Sequence, residues 1–200
     1  MADSNITKRA LAAALRELME EMPFDKIQIA QICERCDMNR KSFYYHFKDK
    51  YDLVNWIFDT EFISFARDST KDLPSDDRWE LIERACEHFY ANRAFYRKAL
   101  LIKGQNSLAD HLREYLFPLV KIRIAQFLSD DAADEFTVNF FTDAVLCAIE
   151  RWLLEKQCMP PEEFVTKIKQ VIQGGAVAIY REMNSAETGA EMLGPEHNSH

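Results

Sequence analysis

Residues 27–53, IQIAQICERCDMNRKSFYYHFKDKYDL, constrain the fold of this 200-residue chain more than any other stretch. Ile29, Ile32, Cys33 and Cys36 fall at i, i+3, i+4 and i+7, the spacing of one apolar face on a short helix. Asp37 and Met38 then offer a turn, with Met38 placed to plug the core between two helices. Asn39 is a good N-cap, because its short side chain can accept a hydrogen bond from a backbone N–H of the first turn. The spacing predicts a further helix over Arg40 to about Phe47, with Phe43 and Phe47, four apart, turned inward. Arg40, Lys41, Tyr44, Tyr45 and His46 are thereby left on its outer sides. Two short helices, a tight turn and a basic-aromatic second helix have the sequence form of a helix-turn-helix.

The rest of the chain is organised around this stretch. Upstream, Ile6, Ala10, Leu11, Ala14, Leu15, Leu18, Met19 and Met22 recur at steps of three and four, one face of a helix of about four turns. Ser4 or Asn5 is placed to cap its start, and Pro23 ends it. Phe24 and Ile27 seal the gap to the next helix. Downstream, Asp49 can cap a fourth helix that continues through Leu53, Trp56, Ile57, Phe62, Ile63 and Phe65 to about Arg67. The polar run DSTKDLPSDD at 68–77 is the one clear break in composition.

Beyond it the apolar positions are helical throughout. They mark helices around Trp79–Tyr90 and Phe95–Ile102, and one over Leu108–Leu128 that must bend or restart at Pro118. A long helix opens at Asp130 or Asp131 and ends before Met159-Pro160-Pro161. A last helix starts at Pro161, with Glu162 and Glu163 favourable to its dipole. No β pattern competes. The expectation is an all-α protein: a three-helix N-terminal head, 1–50, joined by a long helix to a helical body, 51–183, with a polar, patternless tail, 184–200, expected to be disordered.

Composition narrows the function. With 48% apolar and 29% charged residues, five glycines and six prolines, the chain has the make-up of a globular helical protein. No uncharged apolar run reaches membrane-spanning length, and the first fifteen residues lack a signal-peptide pattern, so a cytoplasmic location is expected. Five cysteines at irregular spacing argue against a disulfide framework. Cys33-Glu-Arg-Cys36 has the CxxC form, but no second Cys or His pair lies near enough in sequence to complete a zinc site, and the periodicity turns both thiols inward. No nucleophile–base pair, metal-ligand spacing or Gly-rich phosphate loop points to an enzyme or to a cofactor. The net charge of −8 at first disfavours a nucleic-acid partner. Its distribution reverses that reading: Arg40, Lys41, Lys48 and Lys50 face only Asp49 within 39–50, and the excess acid lies beyond residue 57.

Read together, Ile27, Ile29, Ile32, Cys33, Cys36, Asp37, Met38, Asn39, Phe43, Tyr44, His46, Phe47, Lys50 and Leu53 resemble the signature of the TetR/AcrR family of bacterial transcriptional regulators, over about fifty residues. At finer grain, the start MADSNITKRAL and the segment FYYHFKDKYDLVNWI resemble a subgroup that includes regulators of dihydroxyacetone kinase operons. The resemblance implies that Arg40, Lys41, Tyr44, Tyr45 and His46 approach double-stranded DNA and that Lys50 contacts a phosphate. Gln28, Asn39 and Ser42 complete the candidate DNA-binding set. Two positions depart from the family pattern. Gln28 replaces the usual threonine at the second helix start, and Asp37 replaces the turn glycine, at a position where positive φ costs a side chain more.

The resemblance further implies a homodimer paired through the last two helices, a palindromic operator, repression, and a body whose small-molecule site controls DNA affinity. Phe62, His88, Phe89, Tyr96, Tyr115, Phe141 and Trp152 are the candidates for that pocket, although aromatics at helical spacing equally well form core. The alternative is a transcriptional activator whose body binds a protein coactivator, as in the kinase-operon subgroup.

Overall fold

The computed structural model describes residues 2–70, 78–104, 106–125 and 134–191. Among these every regular element is helical, in the order α1 (Ala2–Glu21), a 3-10 turn (Phe24–Lys26), α2 (Ile29–Arg35), α3 (Arg40–His46), α4 (Lys50–Thr70), α5 (Arg78–Ala91), α6 (Arg93–Leu100), α7 (Leu108–Ile124), α8 (Glu135–Leu154) and α9 (Pro161–Glu191).

The head forms for the reasons its sequence gives. Leu11, Ala14, Leu15, Leu18 and Met19 make the buried stripe of α1, meeting Phe24, Ile27, Ile32, Cys33, Phe43 and Phe47 in one core. Helix α1 already runs from Ala2, so Ser4 and Asn5 lie inside its first turn instead of capping it. Asp49 caps α4 as expected: its Oδ1 accepts from the backbone N–H of Tyr51 and of Asp52, both at 2.8 Å. Arg35 binds Glu21 through two bonds of 2.8 Å and so straps α2 onto α1.

The chain divides into two compact units, one of residues 1–112 with 148–165, the other of 113–147 with 166–200. Residue 50, where the head was expected to end, lies inside the first of these units. In the first unit the head continues directly into the body, because α1 packs against α4 and α6 as well as against α2 and α3. Trp152 stacks on Phe164 at 4.3 Å and donates from Nε1 to the carbonyl of Met159 at 2.8 Å, fixing the corner between α8 and α9.

In the second unit, Pro118 sits within α7 without interrupting the assigned helix. The expected opening of α8 at Asp130 or Asp131 lies outside the described residues. Asp134 is the cap seen, accepting from the Thr137 N–H at 2.7 Å, and that bond holds its carboxyl below the usual carboxylate range. Helix α9 begins at Pro161, where a missing N–H costs nothing. It continues past Asn184 to Glu191, into the segment expected to be a disordered tail, and residues 192–200 lie outside the description.

Candidate nucleic-acid interface

The turn into the reading helix is closed by backbone bonds. The Met38 N–H donates to the Cys33 carbonyl at 2.8 Å, which requires the left-handed backbone at Asp37, φ 53°. Glycine adopts that region freely; aspartate is among the few side chains that tolerate it. Asn39 is extended (φ −96°, ψ 159°), and its Oδ1 accepts from the Ser42 N–H at 2.8 Å and from the Ser42 hydroxyl at 3.2 Å. Both side chains are therefore engaged in starting α3.

Phe43 and Phe47 fix the rotation of α3: they are 0% and 3% exposed, with ring centroids 5.7 Å apart. The opposite sides carry Arg40 and Lys41, exposed, with Tyr44 at 58% and Tyr45 at 82% exposure. His46 is half-buried, its ring edge-on to Tyr45 at 4.9 Å. An exposed face of guanidinium, ammonium, phenol and imidazole on a rigidly seated helix offers donors and acceptors to base edges and donors to phosphates. Gln28 is exposed at the start of α2, its backbone N–H donating to Gln31 Oε1 at 2.8 Å.

Lys50 is placed differently from its neighbours. Its ammonium donates to the carbonyls of Phe24 (2.7 Å), Ile27 (2.9 Å) and Asp25 (3.3 Å), and lies 4.4 Å from the Phe24 ring centroid. Burial pushes its pKa down, against the pull of the Asp25 charge. The expected phosphate contact would require the ammonium to leave three carbonyls, so in this arrangement Lys50 ties the first turn of α4 to the 3-10 turn. Lys8, on α1, is the cation that periodicity alone did not single out: it stands 5.7 Å from the rings of both Phe47 and Trp56, beside the end of α3. No local pattern could announce it, because its neighbours come from two distant helices.

Cys33 is buried and Cys36 half-buried, its thiol donating to the Ile32 carbonyl at 3.2 Å; burial pushes both thiols up, away from the reactive thiolate.

Four of the seven pocket candidates come together within the first unit. Phe62, His88, Phe89 and Tyr96 gather around Phe58 and Glu61, with Phe58 stacked on Phe62 (5.3 Å) and on Phe89 (6.2 Å). The Glu61 carboxylate accepts from the Tyr96 hydroxyl at 2.7 Å, lies 3.1 Å from His88 Nε2 and pairs with Arg16 of α1. Desolvation raises its pKa, but the bonds from His88 and Tyr96 and the Arg16 charge outweigh that and hold it below the usual range. These side chains pack on one another, with Phe89 and Tyr96 only 4% and 1% exposed. Trp152 belongs to the separate stack with Phe164 and Tyr90. Tyr115 and Phe141 lie in the second unit, where Phe141 sits under Gly175. A recess of about 440 Å³ opens elsewhere in the first unit, lined by Met19–Asp25, Lys98, Leu101 and Ile102, none of them among the expected seven.

Residues 10–57 match the tetR family of bacterial regulatory proteins, and residues 77–174 match a C-terminal region of transcriptional regulators from the same group. The HTH-type dhaKLM operon transcriptional activator DhaS of Lactococcus lactis subsp. lactis is 26% identical over 102 residues, which are 51% of this chain and 53% of that protein. The chain thus spans about half the length of this relative. A solved structure of the dihydroxyacetone kinase operon activator DhaS, 18% identical, shares the fold with a TM-score of 0.58 over 88% of this chain and 98% of that one.

Proposed function

Because the chain belongs to the TetR family, and is therefore a DNA-binding transcriptional regulator and not an enzyme, we propose that it acts in the cytoplasm as a homodimer that reads a palindromic operator with Arg40, Lys41, Tyr44, Tyr45 and His46. The observation that carries this reading is the exposed basic-aromatic face of α3, seated by buried Phe43 and Phe47. Lys8, beside the end of α3, is a further donor for the phosphate backbone, whereas Lys50 supports the head from behind.

Both the physics of recognition and the exposed apolar side chains of the second unit support the dimer. One head covers a few base pairs; two heads about 34 Å apart read two half-sites on one side of the duplex. On α8, Phe136 and Phe140 are 76% and 60% exposed in the single chain, and on α9 Val171 is 66% exposed. A Cβ added at Gly174 would meet nothing within 4 Å among the described residues, so that glycine serves no close approach among them. Large apolar side chains on such a face are normally covered by a partner.

The relative's name favours activation over the repression that the family resemblance first suggests. Control through the body then takes one of two forms: a small-molecule effector, or a protein coactivator. The second gains weight because the aromatic candidates in the first unit fill space instead of lining it.

Selection from a random-sequence duplex library tests the core of the proposal. An enriched inverted repeat, with half-site centres one or two helical turns apart, is the expected result. Enrichment of an unrepeated site, or none at all above non-specific binding at 150 mM salt, sinks it.

A further inference from the structure

The recess of about 440 Å³ lies where the end of α1, the 3-10 turn and the end of α6 converge. A smaller hollow of about 190 Å³ lies along the same α1–α6 seam and shares Met19, Glu20 and Lys98 with it. The larger recess has an apolar floor: Met19, Phe24 and Ile102 are buried, Met22 is half-buried, and Leu101, 56% exposed, stands at its edge. Methionines give such a floor adaptable shape. Its rim is acidic. Glu20, Glu21 and Asp25 line it against Lys98 as the one basic lining residue. Glu21 is already neutralised by Arg35, and the Lys98 ammonium is drawn onto the carbonyls of Met19 (2.5 Å) and Glu20 (3.3 Å). Glu20 and Asp25 remain as exposed carboxylates above an apolar surface.

We propose that this recess binds a small amphipathic organic cation, its apolar body on Met19, Met22, Phe24 and Leu101 and its ammonium group between Glu20 and Asp25. The volume suits a small molecule, since ligand sites run from about 300 to 1,000 Å³. The charge pattern selects the sign: an anionic ligand of the same shape would face the exposed Glu20 and Asp25 carboxylates, while the nearby Lys98 and Lys50 ammonium groups are both drawn onto backbone carbonyls.

The location gives such a ligand a route to the head, a consequence that rests on the DNA-binding reading. Phe24 and Asp25, which line the recess, are also the residues whose carbonyls hold Lys50 at the start of α4. The third acceptor, Ile27, directly precedes Gln28 at the start of α2. Anything that shifts the 3-10 turn therefore shifts the support of the helix-turn-helix, while Lys98, Leu101 and Ile102 bring the body's α6 side to the same ligand. A ligand with different contacts to two positions of that turn changes their populations, and with them the affinity for DNA.

Binding is tested on the full chain without DNA, so its outcome is independent of whether the operator assignment holds. The probe is 4-phenylbutylammonium, with 4-phenylbutyrate as the opposite-charge control, followed by the methyl resonances of 13C-labelled methionine. The expected result is saturable shifts at Met19 and Met22, with the carboxylate at least about tenfold weaker. In the Glu20→Gln/Asp25→Asn variant, affinity for the cation falls about fivefold and the melting temperature stays within a few degrees, both side chains being exposed. Absence of shifts up to millimolar probe, equal response to the two charges, or shifts centred on other methionines would overturn the proposal.

Discussion

Tyr45 and Lys50, close in sequence, put their polar ends to opposite uses. The Tyr45 ring stands 82% exposed and no described residue bonds its hydroxyl, whereas the Lys50 ammonium is consumed by three carbonyls. Tyr45→Ala is expected to weaken operator binding about tenfold, the scale of one good base contact, while changing stability by no more than ~0.5 kcal/mol. Lys41→Ala is expected to lower the slope of log affinity against log salt by about one, as the loss of one phosphate contact does. Lys50→Ala loosens the support of the turn: the Phe24 carbonyl keeps only the Ile27 N–H, the Ile27 carbonyl loses its ammonium donor, and unfolding free energy falls by about 1–3 kcal/mol in a denaturant titration. A Lys50→Ala protein as stable as the parent but with a reduced salt slope would show that the ammonium serves DNA and not the turn.

Between elements, the junction of α1, α4, α5 and α6 is polar at its centre. Glu61 gathers Arg16, His88 and Tyr96, and one carboxylate serves three elements besides its own. Glu61→Ala leaves the buried Tyr96 hydroxyl without that acceptor and is expected to cost about 2 kcal/mol, measured by thermal or urea unfolding. The pH dependence has a definite sign. With the folded carboxyl held below its unfolded value, its contribution is present above the ordinary carboxylate pKa and fades as pH falls through the folded one, and Glu61→Gln removes that component of acid destabilisation.

This junction was not legible in the sequence, and the reason is instructive. The head was legible because its determinants are local: Asn39 caps the helix it begins, and Phe43 and Phe47 share one face by spacing alone. Glu61, Arg16, His88 and Tyr96 meet only once four helices have packed, and no periodicity reports which charged side chain points into a seam. The packing of Phe62, His88, Phe89 and Tyr96 on one another was illegible for the same reason, since aromatic content marks burial and says nothing of whether the buried space is filled. The start of α1 was misplaced because Ser4 and Asn5 are good caps that the helix simply runs past.

At the scale of the molecule, the proposed homodimer of an acidic chain must keep its two reading faces in a fixed relation and its acid elsewhere. The bare face of α8 is the natural place to supply that relation. Phe136→Glu with Phe140→Glu puts charges where a partner would sit; sedimentation is expected to report a monomer, and operator affinity to fall by at least about 100-fold as the two heads lose their linkage. A double variant that remains dimeric places the interface on another surface.

The contact of Lys8 with Trp56 has an optical consequence. A cation 5.7 Å from the ring centroid lies within the field of the indole, and Phe47 packs edge-on to the same ring at 5.7 Å beside the reading helix. Trp152, 2% exposed in its stack with Phe164, offers a steady emission against which changes at Trp56 can be read. In a Trp79→Phe background the chain therefore carries its own fluorophore at the head. A duplex phosphate that draws Lys8 off the indole alters its emission, so engagement of DNA can be timed in a stopped-flow cell without attaching a dye.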